Sequence, residues 1–196
     1  KMKNTPSAIF AIAVLACAIT PAPAAQAESY VFNSRKSEVR FTYAMGVLTQ
    51  RGRFRLVEGD LQFDERAPEK SRVFAKIATA SIETGQPIVD DELKGANFFN
   101  AKTSPTVTFR SRSVKPIGSD AALITGDITV NGITKPVTLD VKVTAHEDPA
   151  LKYSKGSKQF VGKTKISRSA FKMDSYPDMV GDEIAIEIDA IVRPKR

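Results

Sequence analysis

The 196-residue chain has no tryptophan, one cysteine and one histidine. A single cysteine, Cys17, excludes an internal disulfide, and with one histidine it leaves too few soft ligands for a transition-metal site. His146 stands beside Glu147 and Asp148 in a polar stretch, HEDPALKYSKGSK. No Gly-x-Ser-x-Gly elbow accompanies it, so a secreted hydrolase using His146 is the weaker functional reading. The acidic group Asp90-Asp91-Glu92 does not have the spacing of a calcium loop and suits a helix N-terminus better. The net charge is +7, but its lysines and arginines are dispersed and no tryptophan accompanies them, which argues against nucleic-acid binding.

No apolar run reaches the roughly 20 residues of a membrane-spanning helix. The longest, AIFAIAVLACAIT, is 13 residues and lies between a basic start, KMKN, and PAPAAQA. That order predicts a signal peptide over residues 1–27, cleaved after Ala27, and a separate domain over 28–196. The alternative is a lipoprotein: VLAC resembles a lipobox in which Cys17 is lipidated. The well-formed Ala25-Gln26-Ala27 site favours cleavage.

What fills the rest is alternation. SEVRFTY sets Val39, Phe41 and Tyr43 on one face, and GRFRLVEGDLQFD sets Phe54 and Leu56 against Arg53 and Arg55. The second pattern breaks at Glu58-Gly59 and resumes with Leu61 and Phe63. Later runs place Val73, Ala75 and Ile77, then Phe109, then Ile124 and Ile128, then Leu139 and Val141, then Ile184, Ile186 and Ile188 on single faces. A period of two with one polar face marks antiparallel strands. Asn131-Gly132 between two such runs is a hairpin signal. One segment, residues 89–99, has an acidic start and helical spacing and ends in the adjacent pair Phe98-Phe99. Eight or nine strands and one short helix predict an all-β, antiparallel closed barrel of about eight strands, with a β-sandwich as the alternative. Gly59, Gly126 and Gly162 inside strands favour a strongly bent sheet. Arg51, Arg53 and Arg55 fall opposite Phe54 and thus outside such a barrel.

Four segments together resemble the YceI-like family of bacterial periplasmic proteins: YVFNSRKSEVRFTYAMGVLTQRGRFRLVEGDLQFD, DDELKGANFFNAKTSPTVTFRS, ITGDITVNGITKPVTLDV and ISRSAFKMDSYPDMVGDEIAIEIDAIV. The likeness runs from about Tyr30 to Val192. It departs at Ala44, where many members have histidine, and at Lys172, where many have glycine. The resemblance implies a lipocalin-like barrel in the periplasm that carries an isoprenoid lipid, either a polyprenyl chain or an isoprenoid quinone. It implies no other cofactor and a monomer or homodimer, and it allows transient docking on a membrane electron-transfer partner.

An eight-stranded barrel can be filled by side chains or can hold one ligand, and periodicity does not distinguish the two. With a ligand inside, the expected lining is Phe41, Tyr43, Met45, Phe54, Phe98, Phe99, Phe109, Ile128, Phe171 and Met173. Tyr43 offers a ring and a hydroxyl at a polar boundary. Met45 and Met173 are flexible fillers. At Phe98-Phe99, one ring is expected to anchor the helix and the other to border the cavity.

Overall fold

The alternating segments become eleven strands in the computed structural model, which describes residues 27–55, 57–145 and 156–195. They are β1 (Glu28–Phe32), β2 (Glu38–Met45), β3 (Leu48–Phe54), β4 (Val57–Phe63), β5 (Arg72–Ala78), β6 (Ile82–Glu83), β7 (Thr106–Ile117), β8 (Ala121–Val130), β9 (Ile133–Ala145), β10 (Lys158–Ser167) and β11 (Val180–Pro194). All pairings are antiparallel. The ring β1-β4-β5-β7-β8-β9-β10-β11 closes on itself because β11 pairs back to β1. Strands β2, β3 and β6 prolong β1, β4 and β5 on the same sheet. The result is an eight-stave closed barrel, which removes the sheet edges that a sandwich would leave.

Three neighbouring staves break at one level. The chain loops out at Asn33–Ser37 between β1 and β2 and at Thr79–Ser81 between β5 and β6, and β3 ends at Phe54 where β4 begins only at Val57. The expected break at Glu58-Gly59 therefore lies three residues earlier. The reason is parity: Phe54 and Val57 are both buried, an odd number of positions apart, so one residue must leave the ladder between them. Leu56, expected inside, lies outside the described residues. Hydrogen bonds bridge the crease at two of these points. Ser37 Oγ donates to the Ile191 carbonyl at 3.2 Å and accepts from the Ile191 N–H at 3.0 Å, standing in for a missing ladder residue. Thr79 Oγ1 donates to the Ser104 carbonyl and its N–H donates to that of Pro105.

The helix α1 spans Pro87–Lys94, shorter than the expected 89–99, and Phe98-Phe99 sit on the turn that follows. Proline at its first turn lacks only an N–H that would have been orphaned anyway. Asp90 accepts from the Thr84 N–H at 2.7 Å and from Thr84 Oγ1 at 2.6 Å, tying the helix to β6. At Gly95 the chain leaves the helix in extended backbone. The β8–β9 hairpin turns on Asn131 and Gly132, both at positive φ, as a tight two-residue turn requires. Helix α1, the β2–β3 and β8–β9 turns and residues 168–179 all gather at one end of the barrel, the helix end. No helix among the described residues is long and apolar enough to cross a membrane.

Candidate functional site

Inward residues that ought to be sealed in a packed core are only half-buried. Ile128, Ile166, Ile184, Ile186 and Ile188 pack on the core yet keep accessible surface. The cause is a hollow lumen: a cavity of about 620 Å³ runs within the staves. Its lining reaches from Ile88, Glu92 and Met179 at the helix end to Pro68, Pro116 and Asp120 at the other. The volume is in the range that holds one organic ligand, roughly 300–1,000 Å³.

Nine of the ten expected lining residues surround it: Phe41, Tyr43, Met45, Phe54, Phe98, Phe99, Phe109, Ile128 and Met173. The tenth does not. Phe171 is fully buried behind the wall, because the turn Ser169–Phe171 folds its ring into the helix-end core. Tyr43, Phe41, Phe54 and Phe99 form a continuous chain of rings, with successive centroids 6.2, 5.6 and 5.2 Å apart. Burial pushes the Tyr43 phenol up, so it stays neutral.

Two rings lie directly against glycine. A Cβ on Gly52 would stand 2.4 Å from Phe41 Cζ, and one on Gly126 would stand 2.6 Å from Phe109 Cζ. Gly52 is the cross-strand partner of Phe41, so the ring occupies the space that a side chain would have taken. Backbone also crowds two of the strand glycines: a Cβ on Gly126 would stand 2.4 Å from the Arg110 carbonyl oxygen, and one on Gly59 would stand 2.1 Å from that of Phe74.

Phe98 and Phe99 both border the cavity, at different depths. Phe98 is buried, stacks on Tyr176 at 6.2 Å, and its carbonyl accepts from Asn131 Nδ2 at 2.6 Å. Phe99 is half-buried and meets Phe54 edge-on. Phe98→Ala should cost about 3–5 kcal/mol in urea unfolding. Phe99→Ala should cost less, since its ring is only half-buried. Equal losses would mean that the two rings share one environment.

Around the helix end a set of apolar side chains stays in water. Val47 and Leu48 at the β2–β3 turn, Ile88 on α1, and Tyr176 and Met179 on the 168–179 loop are all exposed, and Met45 is 39 % exposed. Gly46 N–H donates to the Met179 carbonyl, which places the two turns side by side.

Arg168 and Tyr176 border the cavity and were not among the expected residues. Arg168 had a readable signal: it continues the inward parity of Thr164 and Ile166. Nothing in the sequence marked Tyr176, whose backbone is left-handed at φ 56°.

Arginines 51, 53 and 55 point outside. Arg53 and Arg55 pair with Glu83, at 3.4 and 2.7 Å. Glu187 sits between Arg40 and Lys163, whose hydrogen bonds hold its carboxyl below the usual range. Asp182 is held down by hydrogen bonds from Ser167 Oγ and the Ser169 N–H. Both folded-state pKa values are depressed. Their stabilisation is therefore present above the unfolded carboxylate value, about 4, and is lost as pH falls through the folded one. A D182N/E187Q variant should lose less urea stability than the parent between neutral pH and pH about 3. Parallel pH profiles would refute this role.

Among the described residues no cluster of histidine, cysteine, aspartate and glutamate could hold a metal ion. His146 lies outside the described residues, as do Cys17 and most of the segment read as a signal peptide.

Residues 30–192 match the family model described as a YceI-like domain. A protein called YceI from Escherichia coli O17:K52:H18 is 34 % identical over 140 residues, covering 71 % of this chain and 73 % of that relative. A UPF0312 protein of Pseudomonas aeruginosa is 36 % identical over 143 residues, with the same two coverages. Among solved structures, BcnA of Burkholderia cenocepacia superposes with a TM-score of 0.74 at 26 % identity, over 82 % of this chain and 98 % of that one. A polyisoprenoid-binding domain from Saccharophagus degradans, at 10 % identity, shares the fold, with a TM-score of 0.65 over 86 % of this chain and 99 % of that one.

Proposed function

The chain belongs to the YceI-like domain family, and on that premise we propose that it is an exported carrier of an isoprenoid-type lipid, held in the barrel for storage or transfer through the periplasm. The observation that carries the reading is the lumen itself, apolar-lined over the length of the staves. Its likeness to a fold that includes a polyisoprenoid-binding domain supports the ligand class.

The physics needs no catalytic group. Each buried methylene contributes about 0.8 kcal/mol, offset in part by ordering a flexible chain. A neutral Tyr43 and the polar atoms at the two ends suit a ligand with one apolar tail and a small head, such as a polyprenyl chain or an isoprenoid quinone. Binding is the function, with no cofactor beyond the bound lipid, and the carrier works as a monomer or homodimer. Native mass spectrometry of protein purified from its own envelope, followed by organic extraction, tests this. A bound polyprenyl lipid or quinone is the expected result. Protein that emerges empty and takes up neither class would overturn the proposal.

A further inference from the structure

The barrel wall is not uniformly closed. Strand β9 is paired to β8 over Ile133–Lys142, and β10 is paired to β11 over Lys158–Ser167. The two pair with each other only from Lys158↔Ala145 to Lys163↔Asp140. Beyond that point, toward the helix end, residues 133–139 and 164–167 both continue as strand. Among the described residues no ladder or other backbone hydrogen bond joins them. One link crosses the seam: Thr164 Oγ1 donates to the Thr138 carbonyl at 2.8 Å.

The sequence accounts for the opening. Pro136 has no N–H to offer and is a residue of strand edges. Lys135 has the same parity as the cavity-lining Val137 and Leu139, yet it is exposed. An inward lysine in a closed apolar barrel would bury an unpaired charge, a cost that an open seam avoids. Val137, Leu139 and Ile166 line the cavity, Thr138, Lys163 and Lys165 line a hollow on the outer surface, and Thr164 borders both spaces, as Phe41 and Ile186 do on the paired β2–β11 ladder. A second interruption, between β5 and the far half of β7, is different. There the Val73 N–H donates to Ser111 Oγ and the turn Pro68–Lys70 packs against β7.

We propose that the β9–β10 seam is the portal through which a long apolar chain slides sideways into the barrel, its polar head remaining outside beside Thr138 and Lys135. This rests on the carrier reading. Lateral entry lets a chain leave a bilayer without passing its head through the lumen and without displacing α1, whose Leu93 is packed into the helix-end core. Opening the seam breaks one side-chain hydrogen bond, whereas opening a paired stretch such as β8–β9 breaks a ladder.

The test locks the seam. Thr138 and Lys165 would face each other on the outer surface if the ladder ran on. The Cys17→Ser full chain carrying Thr138→Cys and Lys165→Cys is closed by oxidation or by a short bis-maleimide. The control joins Thr129→Cys to Thr134→Cys, whose hydroxyls already meet at 2.8 Å across the closed β8–β9 ladder. Uptake of ubiquinone-10 from phosphatidylcholine vesicles is followed by extraction after the vesicles are removed. Cross-linking the seam should slow uptake about tenfold or more, an effect on rate rather than affinity, and the control should be unaffected. Thr164→Val, which removes the single link, should speed uptake. An unchanged rate in the locked protein, or in Thr164→Val, would overturn the portal and assign entry to a barrel end. A parent protein that takes up no quinone would overturn the carrier reading, and the portal with it.

Discussion

Replacing Arg168 by alanine should lower stability by several kcal/mol, at about 1–3 for each buried carbonyl left without a donor, a drop of roughly 10 °C or more in melting temperature for a chain of this size. The side chain is 4 % exposed, and its guanidinium serves four backbone carbonyls. Nε donates to Gly181 at 3.1 Å, one terminal nitrogen to Met173 and to Ser175, and the other to Val180 at 2.7 Å. Among the described residues no carboxylate forms an ion pair with it; its partners are carbonyl dipoles. The loop it holds has no ladder of its own and carries Lys172 and Tyr176 at positive φ, where a side chain is disfavoured. Without the fork, one buried carbonyl, that of Met173, and three part-buried ones lose their donors at once. Lysine should not rescue, since an ammonium is a point donor and cannot span the same fork. Thermal unfolding of R168A and R168K decides it, and a melting point within 2–3 °C of the parent would mean that water replaces the guanidinium. Because Tyr176 stacks on Phe98, loosening this loop should also disturb the helix end of the cavity.

Ala75→Trp should abolish binding while leaving the fold intact. Ala75 faces the lumen, paired with Phe109 on one side and Gly59 on the other. An indole there would enter empty space, so the overpacking strain of a filled core is absent. It would displace ligand instead. Excluding about five methylenes forfeits roughly 4 kcal/mol, close to a thousandfold in affinity. The chain has no native tryptophan, so the new indole reports its own environment in the same titration. Parent-like affinity for a polyprenyl lipid or quinone would place the ligand outside the lumen.

The barrel was legible because period two is a local signal. Val39-Phe41-Tyr43 and Ile184-Ile186-Ile188 read as one-faced strands, and Asn131-Gly132 read as their kind of turn. The lining residues on strands, such as Phe41, Tyr43, Phe54, Phe109 and Ile128, followed from the same parity, whereas Phe98, Phe99 and Met173 lie off the strands and were read from the helix end and the family resemblance. What was not legible depends on distant partners. The shift between Phe54 and Val57 is set by which neighbours β3 and β4 find, and those are β2 and β1, not each other. Phe171 has the composition of a lining residue, but one short helical turn rotates it into the wall. The helix was drawn too long because the leucine-alanine spacing runs past Gly95, where the backbone in fact leaves the helix. Hollowness itself is invisible to periodicity, since a filled barrel and an empty one alternate alike.

The ring resting on Gly52 has a consequence for calibre. Phe41 occupies the recess that the missing side chain leaves, and the bore is what remains in front of it. A methyl group added at Gly52 would meet that ring first, so it would swing Phe41 toward the axis. Gly52 therefore behaves as a set screw on a tube. Gly126 does not, because a Cβ there would also strike the Arg110 carbonyl and disturb the β7–β8 ladder. By exchanging glycine for a larger residue at position 52, a relative could narrow the chain it accommodates while every strand stays in register.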